Sequence, residues 1–246
     1  MLGVSAMTVR RDLSALEQER VVRRTHGGVV LVTERDRHTG YQLRAQVRME
    51  AKQAIAREAA RFIRPGDCLF IDAGTTTAAL IPYLRRPGPL RVVTHAVNIA
   101  AALGDLLDIT VTQIGGDLYR ASFAAVGPQA VESIRRYHVD RLFLGVCGVH
   151  AAAGYTNTNI EETEVKRAAM EIAGEVIVLA DSSKFGRVTF ASIAPLNAVH
   201  RVVTDDGIAP EWVQALVAAG IDVVVAPTER GRSAAGSRRE PGTETG

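Results

Sequence analysis

The sequence is poor in lysine and cysteine and has no long apolar run, and each scarcity excludes something. Without about 18 consecutive apolar residues, no membrane-spanning helix is expected. No charged stretch followed by an apolar segment and a cleavage site opens the chain, so no secretory leader is expected either. Cys68 and Cys147 are the two cysteines, each inside an apolar run that reads as a buried strand. Two thiols are too few for a disulfide framework or a metal cluster, and they suit a reducing cytosol. The histidines, His26, His95, His138 and His150 among them, are scattered without ligand spacing. Satisfied or exposed rings are expected, with no metal and no cofactor. Of the 29 basic residues only Lys52, Lys166 and Lys184 are lysines. Where arginine is the default choice, each lysine stands out. The net charge of +2 carries little by itself.

What is present suffices for a full hydrophobic core: 246 residues fit one large domain, or a small one joined to a larger one. Hydrophobic residues at 47% and charged residues at 23% are ordinary for a globular protein and argue against a collagen or coiled-coil build.

Residues 5–20, SAMTVRRDLSALEQER, read as a helix with Ser5 as N-cap. Val9, Leu13 and Leu16 recur at helical spacing and define a buried face. Met7, Arg10, Arg11 and Ser14 fall on the opposite face. A β-hairpin is expected over Val21 to Thr33, turning at His26-Gly27-Gly28 and carrying Arg23 and Arg24. Helix then arginine-bearing hairpin is the layout of a recognition helix and wing, whose arginines reach phosphates and guanine edges. On charge pattern alone, a solvated helix face explains the paired arginines as well.

Residues 34–50 read as a polar linker, and a helix is expected from Met49 to Ile63. Beyond it, apolar strands alternate with amphipathic helices. Strands are expected at 68–72, 91–95, 109–116, 141–149, 175–181, 201–205 and 222–226. Helices are expected near 76–84, 98–103, 128–137, 161–173 and 210–219. Such alternation implies an α/β fold with a mainly parallel sheet covered on both faces. The Gly-, Ser-, Arg- and Glu-rich tail, residues 228–246, is expected to be disordered.

In an open parallel sheet, ligands bind at the carboxyl ends of the strands. There the sequence places Asp72-Ala73-Gly74-Thr75-Thr76-Thr77, which opens a helix with a glycine and three hydroxyls suited to an anion. A threonine-capped helix is an equal reading. It is not a nucleotide P-loop, because the Gly-Lys-Ser/Thr ending is missing. Gly115-Gly116 and Gly148 sit near the ends of other strands, where plain turns would also use glycine. Glu162 and Lys166, four apart beside Glu161, read as a surface ion pair or as part of a site. Asp181-Ser182-Ser183-Lys184 follows a further strand, where a lysine meets an anion or simply lies exposed. Each element is weak alone; four at one sheet edge weigh more.

Residues 4–30, VSAMTVRRDLSALEQERVVRRTHGGVV, closely resemble the recognition helix and wing of DeoR-type bacterial regulators. The resemblance implies operator DNA contacts from Ser5, Met7, Thr8, Arg10, Arg11, Ser14, Arg23, Arg24 and His26. Two further helices precede this string in the family, whereas here Met1-Leu2-Gly3 falls where the turn should be. Residues 1–33 are therefore expected to be poorly ordered and to bind DNA weakly, as a partial winged helix-turn-helix. A misplaced start, a truncation and a decayed DNA-binding unit all remain open.

Residues 51–227 resemble the family's sensor domain through DAGTTT (72–77), THAVNIA (94–100), QIGGDL (113–118), VGPQA (126–130), FLGVCGV (143–149), GYTNTNIEETEVKRAAM (154–170) and ADSSKFG (180–186). The resemblance implies a fold related to ribose-5-phosphate isomerase and glucosamine-6-phosphate deaminase, used as a receptor for phosphorylated sugars. It assigns the phosphate to Gly74, Thr75, Thr76 and Thr77. It lines the pocket with Asp72, Asn98, Gly115, Gly116, Gly148, Glu161, Glu162, Lys166, Asp181 and Lys184. It also implies a cytoplasmic homo-oligomer, dimer or tetramer, with no membrane partner. Repression of a carbohydrate or nucleoside operon is the expected function. A sugar-phosphate isomerase or deaminase, or a ligand-binding remnant without DNA binding, are the alternatives.

Overall fold

The computed structural model describes residues 22–25, 28–31, 40–85 and 88–229. The chain divides into two compact units, Met1–Gln42 and Leu43–Gly246. In the first, strands β1 (Val22–Thr25) and β2 (Gly28–Leu31) pair antiparallel, Val22 opposite Leu31 and Thr25 opposite Gly28. The expected wing hairpin is thus formed. The expected helix over 5–20, with Ser5, Met7, Thr8, Arg10, Arg11 and Ser14, lies outside the described residues, as do His26 and residues 230–246.

The stretch read as a linker is partly helical: α1 spans Tyr41–Gln46, and α2 follows at Met49–Ala59. Glu50 in the first turn of α2 and Arg57 in its last both complement the helix dipole. Ile55 and Ala59 are fully buried, as their spacing predicts. The Met49–Ile63 helix tightens into a 3-10 turn at Ala60–Phe62, ahead of Pro65.

Strand β3 (Cys68–Ile71) leads into a short helix, α3 (Thr75–Ala78). The single helix expected to residue 84 is broken, with a separate 3-10 turn at Ile81–Tyr83 where Pro82 lacks an N–H. Next come β4 (Leu90–Thr94), α4 (Val97–Leu103) and β5 (Ile109–Gln113). A ribbon of β6 (Asp117–Tyr119) and β7 (Ala124–Val126) then precedes α5 (Pro128–Ile134). The 141–149 run proves to be two strands, β8 (Val139–Gly145) and β9 (Gly148–His150). Cys147 lies at the break between them, half-buried rather than inside a strand, and its N–H bonds the Thr156 carbonyl. The rest is β10 (Gly154–Asn157), α6 (Ile160–Glu171), β11 (Ala173–Leu179), β12 (Ala191–Ala194), β13 (Arg201–Asp205), α7 (Pro210–Ala218) and β14 (Asp222–Ala226).

Seven strands form one sheet in the order β14-β13-β11-β8-β3-β4-β5, and every neighbouring pair is parallel. Its central strands are apolar at consecutive positions: Leu69, Phe70, Ile71, Leu142, Phe143 and Leu144 are all fully buried. Burial on both faces explains runs that do not alternate. From β3 the chain builds outward through β4 and β5, then returns to the other side of β3 with β8. The order therefore reverses between β3 and β8, the crevice where ligands bind in such sheets. A second sheet, β12-β10-β9, is antiparallel.

At the amino ends of the strands, Arg141 of β8 bonds Asp67 and, at 3.0 Å, Glu175 of β11. Arg201 joins Glu175 at 2.6 Å to Asp222 of β14 at 2.6 Å, and its guanidinium stacks on Phe62 at 3.8 Å. This network is remote from the carboxyl edge. Arg141→Met is expected to destabilise by about 2–4 kcal/mol, because Asp67 loses its ion-pair partner and Glu175 is left with Arg201 alone. Urea unfolding checks this, and ligand responses at the opposite edge should stay unchanged.

Candidate functional site

Because all seven strands run the same way, the residues after β3, β4, β8 and β11 meet at one edge. The turn after β3 buries Asp72, and α6 brings Lys166 to it; the two are 1% and 2% exposed. Lys166 Nζ donates to Asp72 Oδ2 at 2.5 Å and to the Gly145 carbonyl at 3.1 Å. The Gly145 N–H donates to the same Asp72 oxygen at 2.8 Å. A Cβ on Gly145 would stand 3.3 Å from that oxygen, so the approach suits glycine. His95, fully buried after β4, donates from Nδ1 to the Ala125 carbonyl at 3.0 Å. Its Nε2 lies 2.9 Å from Asp72 Oδ1 and 3.1 Å from the Ala73 N–H.

Burial alone would push the Asp72 carboxyl up, but the Lys166 ammonium and His95 outweigh it and hold the carboxyl below its ordinary range. Burial likewise opposes charge on Lys166, and Asp72 with Glu162 raises it above the ordinary lysine value. The site is built around a buried ion pair. Lys166 is therefore no partner in a surface pair with Glu162: both are buried, and its hydrogen-bonded partner is Asp72.

Glu162 faces the other way into a polar chain. Its Oε2 accepts from Asn157 Nδ2 at 3.1 Å, and Asn157 Oδ1 accepts from the Cys147 thiol at 3.1 Å. Asn159 caps α6 by accepting the Glu162 N–H at 2.7 Å, which fixes the start of the helix. The half-buried Tyr119 hydroxyl is pushed up by burial and by Glu162, with Arg44 opposing.

A second cluster follows β11. Asp181 caps a turn by accepting from the Ser183 N–H at 3.1 Å and the Ser183 hydroxyl at 2.5 Å. Burial would raise its carboxyl, but Lys184 and Ser183 prevail and hold it low. Arg48 reaches Asp181 at 3.4 Å, Ser182 at 2.5 Å and Asp205 at 3.5 Å. Arg48 itself has φ +54°, an uncommon left-handed conformation for a non-glycine residue.

The structure thus brings together Asp72, Glu162 and Lys166, with Gly74, Thr75 and Thr76 in the adjoining turn. Asp181 and Lys184 stand in their own cluster at the same edge. Other expected residues are placed differently. The Thr77 hydroxyl is used on the Gly74 carbonyl at 3.0 Å, and the side chain is fully buried. Glu161 is on the exposed face of α6. Gly148 sits in β9, where a Cβ would come within 2.4 Å of the Arg187 carbonyl, a packing requirement. Gly115 and Gly116 lie exposed beyond β5, and at Gly116 a Cβ would meet the Val126 carbonyl at 2.5 Å. Asn98 begins α4 with its Oδ1 buried and unpartnered among the described residues. Arg23 and Arg24 fall in β1. Sequence reasoning missed His95, Gly145, Cys147 and Asn157. The strings THAVN and FLGVCGV contain three of them, but nothing in their spacing marks them.

Among the described residues no helix is long and apolar enough to cross a membrane. The model of the DeoR C terminal sensor domain matches residues 47–206, and that of the DeoR-like helix-turn-helix domain matches residues 1–35. The HTH-type transcriptional repressor GlcR of Bacillus subtilis is 33% identical over 232 residues, 94% of this chain and 89% of that protein. The HTH-type transcriptional regulator GlpR of Haloferax volcanii is 35% identical over 223 residues, 91% of this chain and 87% of that protein. Among solved structures, ribose 5 phosphate isomerase A from Neisseria gonorrhoeae is similar with a TM-score of 0.40 at 17% identity, covering 55% of this chain and 52% of that one. The eIF2B delta subunit from Chaetomium thermophilum gives 0.46 at 19% identity, covering 65% and 57%.

A helix-turn-helix match ahead of a parallel α/β unit defines a DNA-binding transcriptional regulator rather than an enzyme, and the isomerase alternative gives way to it. The chain belongs to the DeoR family.

Proposed function

We propose that this regulator represses a carbohydrate or nucleoside catabolic operon in the cytoplasm and that a phosphorylated sugar, bound at the carboxyl edge of the sensor sheet, releases it. One observation carries the reading: the buried Asp72–Lys166 pair at the β3/β8 crevice, directly behind the Gly74–Thr76 turn. A desolvated ion pair stabilises little by itself, yet it sets geometry. Here it fixes Gly145 against the turn after β3, so the half-buried groups at the rim are held in place. Gly74 and Thr75 are suited to the phosphate, and Cys147, Tyr119, Asn98 and Lys184 to the sugar hydroxyls. The unpartnered Asn98 oxygen is an acceptor for one of them. Gly148 acts in packing and Glu161 at the surface, and the Thr77 hydroxyl is taken up by the Gly74 carbonyl. The protein works as a homo-oligomer, and the effector shifts DNA affinity only by its differential affinity for the two states.

Thermal unfolding against sugar phosphates and the matching free sugars tests this. At about a hundred times its dissociation constant, a ligand stabilises by roughly 2.7 kcal/mol. For a chain of this size that is a shift of about 5–10 °C. The expected result is a phosphate-dependent shift without turnover. No shift for any phosphate ester, or equal shifts for the free sugars, would sink the reading.

A further inference from the structure

Residues 43–48 open the second unit and lead from α1 to α2. No side chain of α1 is buried, and Leu43 and Val47 are exposed. A segment with so little buried apolar surface opens locally unless other bonds hold it. Lys52 of α2 adds one bond to the Arg44 main chain, but two arginines reach across to the sheet edge. The Arg44 guanidinium donates to the Ala121 carbonyl, in the turn of the β6–β7 ribbon. That ribbon is tied to the turn after β4, where the Ala125 N–H donates to the His95 carbonyl at 2.7 Å. Arg48 grips the other side of the β3/β8 crevice. Its guanidinium donates to Ser182 after β11 at 2.5 Å and lies 3.4 Å from Asp181 and 3.5 Å from Asp205, the last residue of β13. Ser182 itself donates to Asp205 from its N–H at 2.6 Å and its hydroxyl at 2.9 Å. Between the two arginines, Ala45 lines a cavity together with Thr75. Glycine suits the left-handed backbone at Arg48 far better, so the contacts of the side chain are what hold an arginine in it.

We infer that residues 43–48 form a strap across the β3/β8 crevice, latched by Arg44 and Arg48, and that a ligand in the crevice tightens it. This rests on the sugar-phosphate reading above and deepens it, by naming the segment through which the effector acts. Arg44 holds the side built from β3, β4 and β5, and Arg48 the side built from β8, β11 and β13. A ligand that bridges from the Thr75 turn to Lys184 touches both. Lys184 and Arg48 share the Asp181 carboxylate as their counter-charge. When oxygens of the ligand draw the Lys184 ammonium, Arg48 takes a larger share of that carboxylate and its latch strengthens. The strap then opens less often, and the segment that follows the N-terminal unit in sequence is held in one conformation.

Amide hydrogen exchange across residues 43–48 of the full chain tests the strap, first without ligand. Arg48→Gly keeps the left-handed backbone and removes one latch; Arg44→Gln removes the other. Each is expected to quicken exchange across 43–48 about tenfold, the low end for a hydrogen bond to a charged group, while the sheet exchanges as in the parent. Arg44→Gln, in a helix that buries nothing, carries the test if Arg48→Gly does not fold. Ribose 5-phosphate, glucose 6-phosphate and inorganic phosphate are then added, with affinity read by titration calorimetry. An ester that binds the parent is expected to slow exchange across 43–48 about fivefold or more, within the usual range of coupling between sites. By reciprocity, each unlatched variant should bind that ester more weakly by about the same factor, a match that a folding defect would not produce. Ligand-free exchange in both variants equal to that of the parent overturns the latches. An ester that binds the parent yet leaves exchange across 43–48 unchanged or faster, or that binds the variants as tightly, overturns the tightening while the sugar-phosphate reading stands. A parent protein that binds neither ester overturns that reading and, with it, ligand control of the strap. Slowing by inorganic phosphate as great as by an ester would make the strap respond to a bare anion and overturn its effector role.

Discussion

Lys166→Met is expected to lower the unfolding free energy at neutral pH by about 3–5 kcal/mol, the cost of leaving a buried carboxylate without its partner. In a protein of this length that is a fall of roughly 6–20 °C in Tm. The pH dependence has a definite sign. The folded-state pKa of Asp72 is depressed, so its contribution is present above the unfolded value near 3.9 and is lost as pH falls through the folded value. That of Lys166 is raised, so its contribution is present below about 10.4 and is lost as pH rises through the folded value. The penalty of Lys166→Met should therefore be greatest between about pH 5 and 9 and shrink in acid, where Asp72 takes up a proton. Asp72→Asn combined with Lys166→Met should recover about half of the loss, since a neutral pair leaves no bare charge. Urea unfolding of the parent, Lys166→Met and the double variant across pH is the measurement. A single-variant cost below about 1 kcal/mol at pH 7 would mean that Lys166 is not charge-paired in solution.

At the DNA-binding end, Arg10→Ala and Arg11→Ala are each expected to weaken operator binding by about 1–3 kcal/mol, roughly 5- to 150-fold. If one arginine reads a guanine edge and the other a phosphate, the two variants should differ in kind. The first relaxes sequence preference at one position, and the second weakens all sequences alike and lowers the salt slope by about one. Gel shifts at two or more salt concentrations separate them. Equal affinity of both variants and the parent would remove the two arginines from the DNA contacts.

The succession of strands and helices in the sensor unit was legible because its strands are doubly apolar and its helices amphipathic. Periodicity located all seven strands of the main sheet within a few residues. The short elements were not legible. Asp117–Tyr119, Gly154–Asn157 and Ala191–Ala194 are three or four residues long and hold their places by tertiary pairing rather than by pattern. The break at Val146–Cys147 was hidden for a related reason. Gly145 ends its strand by turning its N–H to Asp72, a partner 73 positions earlier that no local window contains. For the site, motif strings marked Asp72, Glu162 and Lys166, and spacing suggested that Glu162 and Lys166 pair on the surface. Their burial follows from α6 packing over the sheet, which the four-residue spacing does not reveal.

The reversal of strand order between β3 and β8 also bears on how the chain folds. Strands β3, β4 and β5 come from residues 68–113, and β8, β11, β13 and β14 from residues 139–226. The two sets join along a single seam, β3 against β8. The Asp72–Lys166 bond crosses that seam between residues 94 apart in sequence. Contacts of such long range form late, because the entropy of closing the intervening loop is lost before they reward it. Either half alone has only part of the crevice. A ligand that grips both sides of the seam therefore has nothing to hold until the halves have docked. It should slow unfolding far more than it speeds refolding.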